Sequence, residues 1–384
     1  MKNYPTRGIV EGNLVFLSGM DGRDVKTGVV SSNVFEEQMV LALDKIRAAM
    51  EEAGSSMNNI VRTFIVIKNL ADYPRMRKTE VEYYQKHAPL LVEDPPVSTF
   101  IQTASLTSPE LLVEIDVTGV ISRDKAGSEV KFYPEIWAGK KLAYPYVAPE
   151  HPKFAKSAVV GNLVFVSGCE ALNPETVTTE TSDFEEQTTI CFDKIKMALE
   201  EVGSSMDNIF KTNMLLTNPA NYCEMRRIEY DYYQKNAPFL VKEPPVSTCI
   251  IPTSLARPEF LIEIEAFAVI SRDAPDCRLL MYPEYRGGRK LVCPGVAPDK
   301  ALVAQSARLG NLIFVSGRQA LKESRVFEEE MVGALDHVKV ALEVAGSSMN
   351  NIIKTHVILT NPENYPSMRK VELEYYGKNA PLLA

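Results

Sequence analysis

The sequence predicts an α+β fold used three times in tandem, each unit a mixed sheet with two helices on one face. Three observations carry this reading. Long blocks of the sequence recur at a fixed spacing, and within each block short β-branched runs alternate with stretches of helical period. The chain has 384 residues, too many for one hydrophobic core, and ~150 residues per domain leaves two or three units.

The recurrence is read from matching strings. GNLVFLSG begins at Gly12, GNLVFVSG at Gly161 and GNLIFVSG at Gly310, two offsets of 149 residues. GSSMNNI, GSSMDNI and GSSMNNI begin at Gly54, Gly203 and Gly346; the second interval shrinks to 143 because the third loop has lost six residues, and deletions fall in loops. EYYQKHAP (82–89), DYYQKNAP (231–238) and EYYGKNAP (374–381) follow. PPVST then occurs at 95–99 and 244–248, with PELLVEID at 109–116 and PEFLIEIE at 258–265, and this last part has no third copy. Domains are expected at 1–123, 132–272 and 281–384, the third lacking its two closing strands, with polar joins SRDKAGSEVK and SRDAPDCRLL between them.

Within a repeat the elements follow in order. Residues 13–18 read as a short buried strand and 21–32 as a turn-rich loop. A helix comes next: Asn33 with Glu36, and Ser182 with Glu185, have capping-box spacing. Behind them Phe35, Met39, Ala42, Leu43, Ile46 and Met50 recur at helical period, and Gly54 supplies the left-handed stop. Residues 59–67 are rich in β-branched side chains and predict a strand; 72–86 predict a second helix ended by Ala88-Pro89, and 98–103 and 111–120 two closing strands. The order is ββαβαββ.

Composition narrows function. Apolar residues at 45% and charged residues at 24% are those of a folded soluble protein. A net charge of −8, pI 5.3 and no Lys/Arg run interleaved with aromatics argue against nucleic acid as partner. No apolar run reaches a membrane span and the N-terminus has no signal-peptide pattern, so the expected address is cytoplasmic, away from membranes. The six cysteines include no CxxC pair and read as reduced thiols; the four histidines are scattered, so no zinc cluster or His-based triad forms from local spacing.

These motifs, in this order, resemble the RidA (YjgF) family of reactive-intermediate deaminases: G-N-L-x-F-x-S-G, A-G-S-S-M-x-N-I, Y-Y-x-K-x-A-P and P-P-x-S-T followed by an E-I-[DE] strand. The resemblance implies a chorismate-mutase-like fold that assembles as a trimer around a barrel, with ligand clefts between neighbours. Three copies on one chain then imply an intramolecular pseudo-trimer. It further implies hydrolysis of enamines and imines to carbonyl compounds and ammonia without a cofactor. Glu114 and Glu263 match the family glutamate that positions water and handles protons, and Ser18, Ser167 and Ser316 match its S-G serine. The family's carboxylate-holding arginine is replaced by Val97 and Val246, and its tyrosine by Pro5, Phe154 and Val303. A valine offers neither charge nor hydrogen bond, so a substrate carboxylate loses its anchor.

The residues also speak without the family. In the last strand Glu114 and Asp116 share one face, as do Glu263 and Glu265, ~6.5–7 Å apart along the strand, where each raises the other's pKa if water is excluded; the alternative is a wet lumen or pairing with Lys and Arg. The S-G serines either contact a ligand or tie local backbone. Thr99 and Thr248 offer hydroxyls to a ligand, and Arg77, Arg226 and Arg369 offer a replacement cation or are solvated helix-surface residues. Cys249 reads as a structural thiol and the tyrosine pairs as helix packing. Two functions stand: a protein that binds a small enamine, imine or related carbonyl compound and hydrolyses it through Glu114 or Glu263, and a non-catalytic metabolite-binding or scaffold protein of the same fold. At most two clefts are expected, in a monomeric pseudo-trimer or in a homo-oligomer that completes repeat 3. Ribonuclease activity conflicts with the acidic charge.

Overall fold

The structure is a computed structural model; it describes residues 7–137, 140–141, 154–173, 176, 178–179, 181–275, 277–286, 289–290, 302–320, 324 and 326–380. Pro5, named above, lies outside them. Repeat 1 contains β1 (Gly8–Glu11), β2 (Leu14–Leu17), α1 (Phe35–Glu52), β3 (Ile60–Ile67), α2 (Tyr73–His87), β4 (Val97–Gln102) and β5 (Val113–Val120). Repeat 2 contains β6 (Val130–Pro134), β7 (Ala155–Val160), β8 (Leu163–Glu170), α3 (Phe184–Glu201), β9 (Ile209–Leu216), α4 (Tyr222–Asn236), β10 (Val246–Ile250) and β11 (Ile262–Val269). Repeat 3 contains β12 (Leu279–Pro283), β13 (Ala304–Leu309), β14 (Leu312–Val315), α5 (Phe327–Val344) and α6 (Tyr365–Asn379).

The helical faces read from the sequence are core: Phe35, Met39, Ala42, Leu43, Ile46 and Met50 are all buried against the sheet of repeat 1. Each burial removes apolar area worth ~25 cal/mol per Å². The tyrosine pairs join helix to helix: Tyr83, Tyr232 and Tyr375 donate to Asp44, Asp193 and Asp336 at 2.6, 2.7 and 2.6 Å. The first-helix caps differ from expectation by one position. Asp183, not Ser182, accepts from the Glu186 amide at 2.9 Å, and Val34 occupies the cap of α1 without a side-chain bond, because the helices start at Phe184 and Phe35.

The strands of all three repeats form one hydrogen-bonded sheet in the order β1-β2-β5-β3-β4-β7-β8-β11-β9-β10-β13-β12, with β6 also on β7 and β14 also on β13. Repeats join through short parallel bridges, Val97 to Ala155 and Val246 to Ala304. Each junction is stapled by an S-G serine. Ser167 Oγ accepts from the Ser98 amide at 2.9 Å and donates to Ala155 O at 2.6 Å; Ser316 Oγ does the same between Ser247, at 2.8 Å, and Ala304 O, at 2.6 Å. A fourth apolar core, drawn from all three repeats, lies along the junctions and includes Val97, Val246, Phe165, Phe210 and Phe267. Repeat 3 also touches repeat 1: Lys354 Nζ donates to Leu17 O at 2.9 Å, and Asn311 Nδ2 to Glu11 at 2.8 Å.

Between the repeats lies a line of ionisable side chains, buried at Arg62, Asp116 and Glu265. Arg62 on β3 holds Glu265 of β11 by two bonds, 2.6 and 2.8 Å, and stands 3.4 Å from Asp116; Lys354 and His356 reach Asp116 at 2.5 and 3.0 Å. Burial by itself would raise both carboxyls, but Arg62 outweighs it at Glu265, and Lys354, His356 and Arg62 outweigh it at Asp116, so both stay below the usual carboxylate range. Asp116 and Glu265 are therefore paired acids. Among the described residues no helix is long and apolar enough to cross a membrane, and no His/Cys/Asp/Glu group is placed to hold a metal ion.

Removing one partner strands a buried charge. Arg62→Met is expected to cost about 3–5 kcal/mol, whereas Arg62→Met with Glu265→Leu recovers most of that loss, because the uncompensated carboxylate goes too. Urea unfolding of the two variants checks this; equal losses would show that the pair does not couple the repeats.

Candidate functional site

A cleft of about 240 Å³ opens where repeat 1 meets repeat 2. Repeat 1 supplies Tyr73 and Arg77 from α2 and Ser98 and Phe100 from β4; repeat 2 supplies Phe154, Gly168, Glu170, Arg257, Phe260 and Glu263. Its size is below the ~300–1,000 Å³ of drug-sized sites and suits a small molecule.

Glu263 sits at the seam. The carboxylate is buried, and a side chain on Gly168 would overlap its Oε1, so the glycine of S-G is what lets the acid lie against β8. Burial pushes the Glu263 carboxyl well above its usual range, and Glu170, its cross-strand neighbour, and Glu265 push the same way. The Phe100 amide of repeat 1 opposes them by donating to the carboxylate. The acid of one repeat is thus held by the closing strand of another.

Arg77 is the cation of the cleft. It is buried, not a solvated helix-surface residue: it donates to Glu80 at 2.8 Å and Ser98 Oγ at 3.1 Å, and lies 5.5 and 5.7 Å from the Tyr73 and Phe154 rings. Its Nε is buried without a hydrogen-bond partner. Arg226 repeats the arrangement with Glu229 at 2.6 Å and Ser247 at 3.0 Å. Arg369 pairs with Glu372 at 2.7 Å. Arg257, which the sequence reading missed, lines the cleft 3.8 Å from Glu259; the signal was Arg-Pro-Glu at 257–259 where repeat 1 has Ser-Pro-Glu at 108–110.

The other expected residues fall differently. Val97 and Val246 are fully buried in the shared apolar core and lie off the cleft wall, which begins at Ser98, because strand alternation turns residue 97 away from 98 and 100. Thr99 Oγ1 accepts from the Gly168 amide at 3.2 Å and ties the junction. Ser167 spends its hydroxyl on the staple. Thr248 lies beside Gly317. Burial pushes the Cys249 thiol up to about 11, which suits a structural residue.

The Endoribonuclease L-PSP family model matches residues 1–121, 147–270 and 296–383. The chain belongs to the RidA (YjgF) family. A RutC family protein of Pyrococcus abyssi is 31% identical over 87 residues, 23% of this chain and 68% of that protein. A 2-iminobutanoate/2-iminopropanoate deaminase of Escherichia coli K12 is 27% identical over 114 residues, 30% of this chain and 84% of that protein. The solved YjgF gene product of E. coli is 25% identical, with a TM-score of 0.29, covering 32% of this chain and 91% of that one.

In this RidA-family chain the three junctions are unequal. The junction of repeats 1 and 2 has the glutamate, the serine staple and the closing strand together. That of repeats 2 and 3 has Arg226, Ser247, Thr248 and Ser316, but no described residue of repeat 3 stands where Glu263 stands. Where repeat 3 meets repeat 1, Glu114 and Ser18 face no counterpart of Ser98 and Phe100 among the described residues. Among the described residues, the junction of repeats 1 and 2 carries the whole residue set, the acid of one repeat and the closing strand of the one before it.

Burial, then Asp21 and Asp116, raise the Glu114 carboxyl from 4.5 to about 7. The folded chain then binds more protons than the unfolded one between those two values, so this group's contribution falls as pH rises through that window. Glu114→Gln is expected to stabilise the protein at pH 8 relative to pH 5 by about 1–2 kcal/mol, discounted for partial exposure; thermal unfolding at both pH values checks the sign. Gly168→Ala is expected to displace Glu263 at a stability cost of about 1 kcal/mol, because the overlapping atom ends a flexible side chain. A crystal structure of that variant with Glu263 unmoved would contradict it.

Proposed function

We propose that the repeats form a cytoplasmic intramolecular pseudo-trimer around a barrel, and that its cleft between repeats 1 and 2 binds a small enamine, imine or related carbonyl compound and hydrolyses the C–N bond. The observation that carries this reading is Glu263: a buried acid with a raised pKa, opposite a second repeat, in a cleft that also holds two arginines. Continuity of the sheet from repeat to repeat, and the contacts of Lys354 and Asn311 with repeat 1, support the ring.

The chemistry follows from the protonated acid. An enamine first takes a proton on carbon and gives one up from nitrogen to become the imine. Glu263 gives its proton to the imine nitrogen; the resulting carboxylate takes one from the water that adds to carbon, passes it to the amino group as the C–N bond breaks, and recovers a proton from the hydroxyl as the carbonyl forms. Imine and water become carbonyl compound and ammonia. Arg257 and Arg77, which line the cleft, rather than residue 97, meet any anionic group on the ligand. The second reading, a binding site without turnover, draws on the pairing of Arg77 with Glu80, which spends part of its charge inside the protein.

Ammonia release is the measurement, from 2-iminopropanoate and from an imine without a carboxylate. Glu263→Gln is expected to lower turnover at least about a hundredfold, and Glu114→Gln to leave it within about twofold. Equal losses in the two variants would overturn the assignment of a single working cleft; ligand binding by calorimetry with no ammonia from the wild type would favour the second reading.

A further inference from the structure

The cleft between repeats 1 and 2 holds a second carboxylate that the hydrolysis at Glu263 does not use. Glu170 and Glu263 are direct partners across β8 and β11, so their side chains leave the sheet on one face with Cβ atoms ~4.5–5.5 Å apart, and both line the cleft. Repeat 1 builds the same pair from Asp21 and Glu114, 149 residues earlier. There Asp21 is spent inside the protein: Arg23 and Lys45 both hold it, Lys45 at 2.8 Å. In repeat 2 Leu172 stands in place of Arg23, and Lys194, the counterpart of Lys45, donates at 3.0 Å to the backbone carbonyl of Glu170 rather than to its carboxylate. Among the described residues no hydrogen bond or ion pair reaches the Glu170 side chain.

The surroundings magnify what such a charge can do. The rings of Tyr73, Phe100, Phe154 and Phe260 line the same cleft, and Glu263 is only 4% exposed. Apolar walls exclude the water that would screen a charge, so a carboxylate among them attracts a cation strongly. Hydrolysis generates that cation. When Glu263 gives its proton to the imine nitrogen, the ligand becomes an iminium ion whose two N–H bonds diverge in one plane.

We infer that Glu170 is a catalytic residue of this cleft, the counter-ion of the iminium, and that with Glu263 it selects imines of unsubstituted nitrogen, those that release ammonia rather than an amine. Each of the two carboxylates accepts one N–H bond. This role rests on the hydrolytic reading and adds no proton transfer to it: Glu170 accepts a hydrogen bond while the protons travel by Glu263. The bond strengthens as positive charge grows on nitrogen, so it favours the protonated state over the neutral imine and the neutral products. An N-alkyl imine has a single N–H after protonation. Its alkyl group takes the place of the second bond and leaves one carboxylate against carbon, which a site built to bond both N–H groups rejects.

Two substrates and one variant of the whole chain test this. 2-Iminopropanoate and its N-methyl counterpart are generated in place by oxidising alanine and N-methylalanine with an amino-acid oxidase, and their loss is followed by semicarbazide trapping. The wild type is expected to prefer the unsubstituted imine by about tenfold or more in kcat/KM, the worth of one charge-assisted bond. Glu170→Gln keeps the size of the side chain and removes its charge; it is expected to lower the limiting kcat for the unsubstituted imine about tenfold and to narrow the preference to about threefold or less. The limiting kcat is read from a pH profile, because Glu170 also helps to keep Glu263 protonated; Glu265 and Lys194, whose charges also act on Glu263, are the same in both forms. Full recovery of the variant at low pH would mean that Glu170 acts only through Glu263 and would overturn the inference, as would a wild type that takes both imines equally. The wild-type comparison stands even if the variant fails to fold. A wild type that hydrolyses neither imine removes the hydrolytic reading itself, and the role of Glu170 with it.

Discussion

The cations of repeats 1 and 3 answer the acids of repeats 2 and 1, and the register between repeats depends on that exchange. An apolar junction tolerates sliding, because burial has no direction. A bidentate Arg62–Glu265 pair does not: the guanidinium fork meets both carboxylate oxygens only when β3 and β11 are in one register. The serine staples add the same constraint at the backbone, each serine oxygen both accepting from one repeat and donating within its own. Together they place Phe100 within reach of Glu263 and the S-G turn of repeat 2 against β4.

Tandem duplication explains why one junction differs from the others. Three separate identical chains must place the same residues at every junction. Three linked copies need not, and here they do not: Arg257 has only Ser108 opposite it in the first copy, and the cations between the repeats are one arginine and two lysines. The same freedom reaches the position two residues after each cation, where Phe64, Asn213 and His356 stand in equivalent places. Asn213 donates to Glu265 at 2.6 Å and His356 meets Asp116 at 3.0 Å, while Phe64 lies 5.7 Å from Arg62. Each of the three residues thus contacts the ionised side chain beside it in a different way.

Most of the fold was legible because it is local. Hydrophobic period placed Phe35 to Met50 on the core face, and β-branched composition placed Ile60–Ile67 in the sheet. What stayed hidden depends on which repeat faces which. Val97 looked like a ligand position since it replaces a cation, yet its pairing with Ala155 buries it in a core that no single repeat contains. Arg77 looked like a surface residue because its burial comes from Phe154, seventy-seven positions away on the next copy. The different surroundings of Glu114 and Glu263 likewise depend on which repeat lies beside each, and are absent from either repeat read alone.

The two acids on one face of β11 show how two residues on one strand are shifted in opposite directions. Glu265 is held below the usual carboxylate range by Arg62 and Asn213, and its charge adds to burial and Glu170 in raising Glu263, two residues along. Without the Arg62 pair, Glu265 would have to take up its own proton on burial, and its share of the repulsion at Glu263 would fade, leaving burial and Glu170. The ion pair that fixes the register between repeats 1 and 2 therefore also contributes to the shift of the acid at their cleft, so assembly and proton chemistry are linked through a single guanidinium.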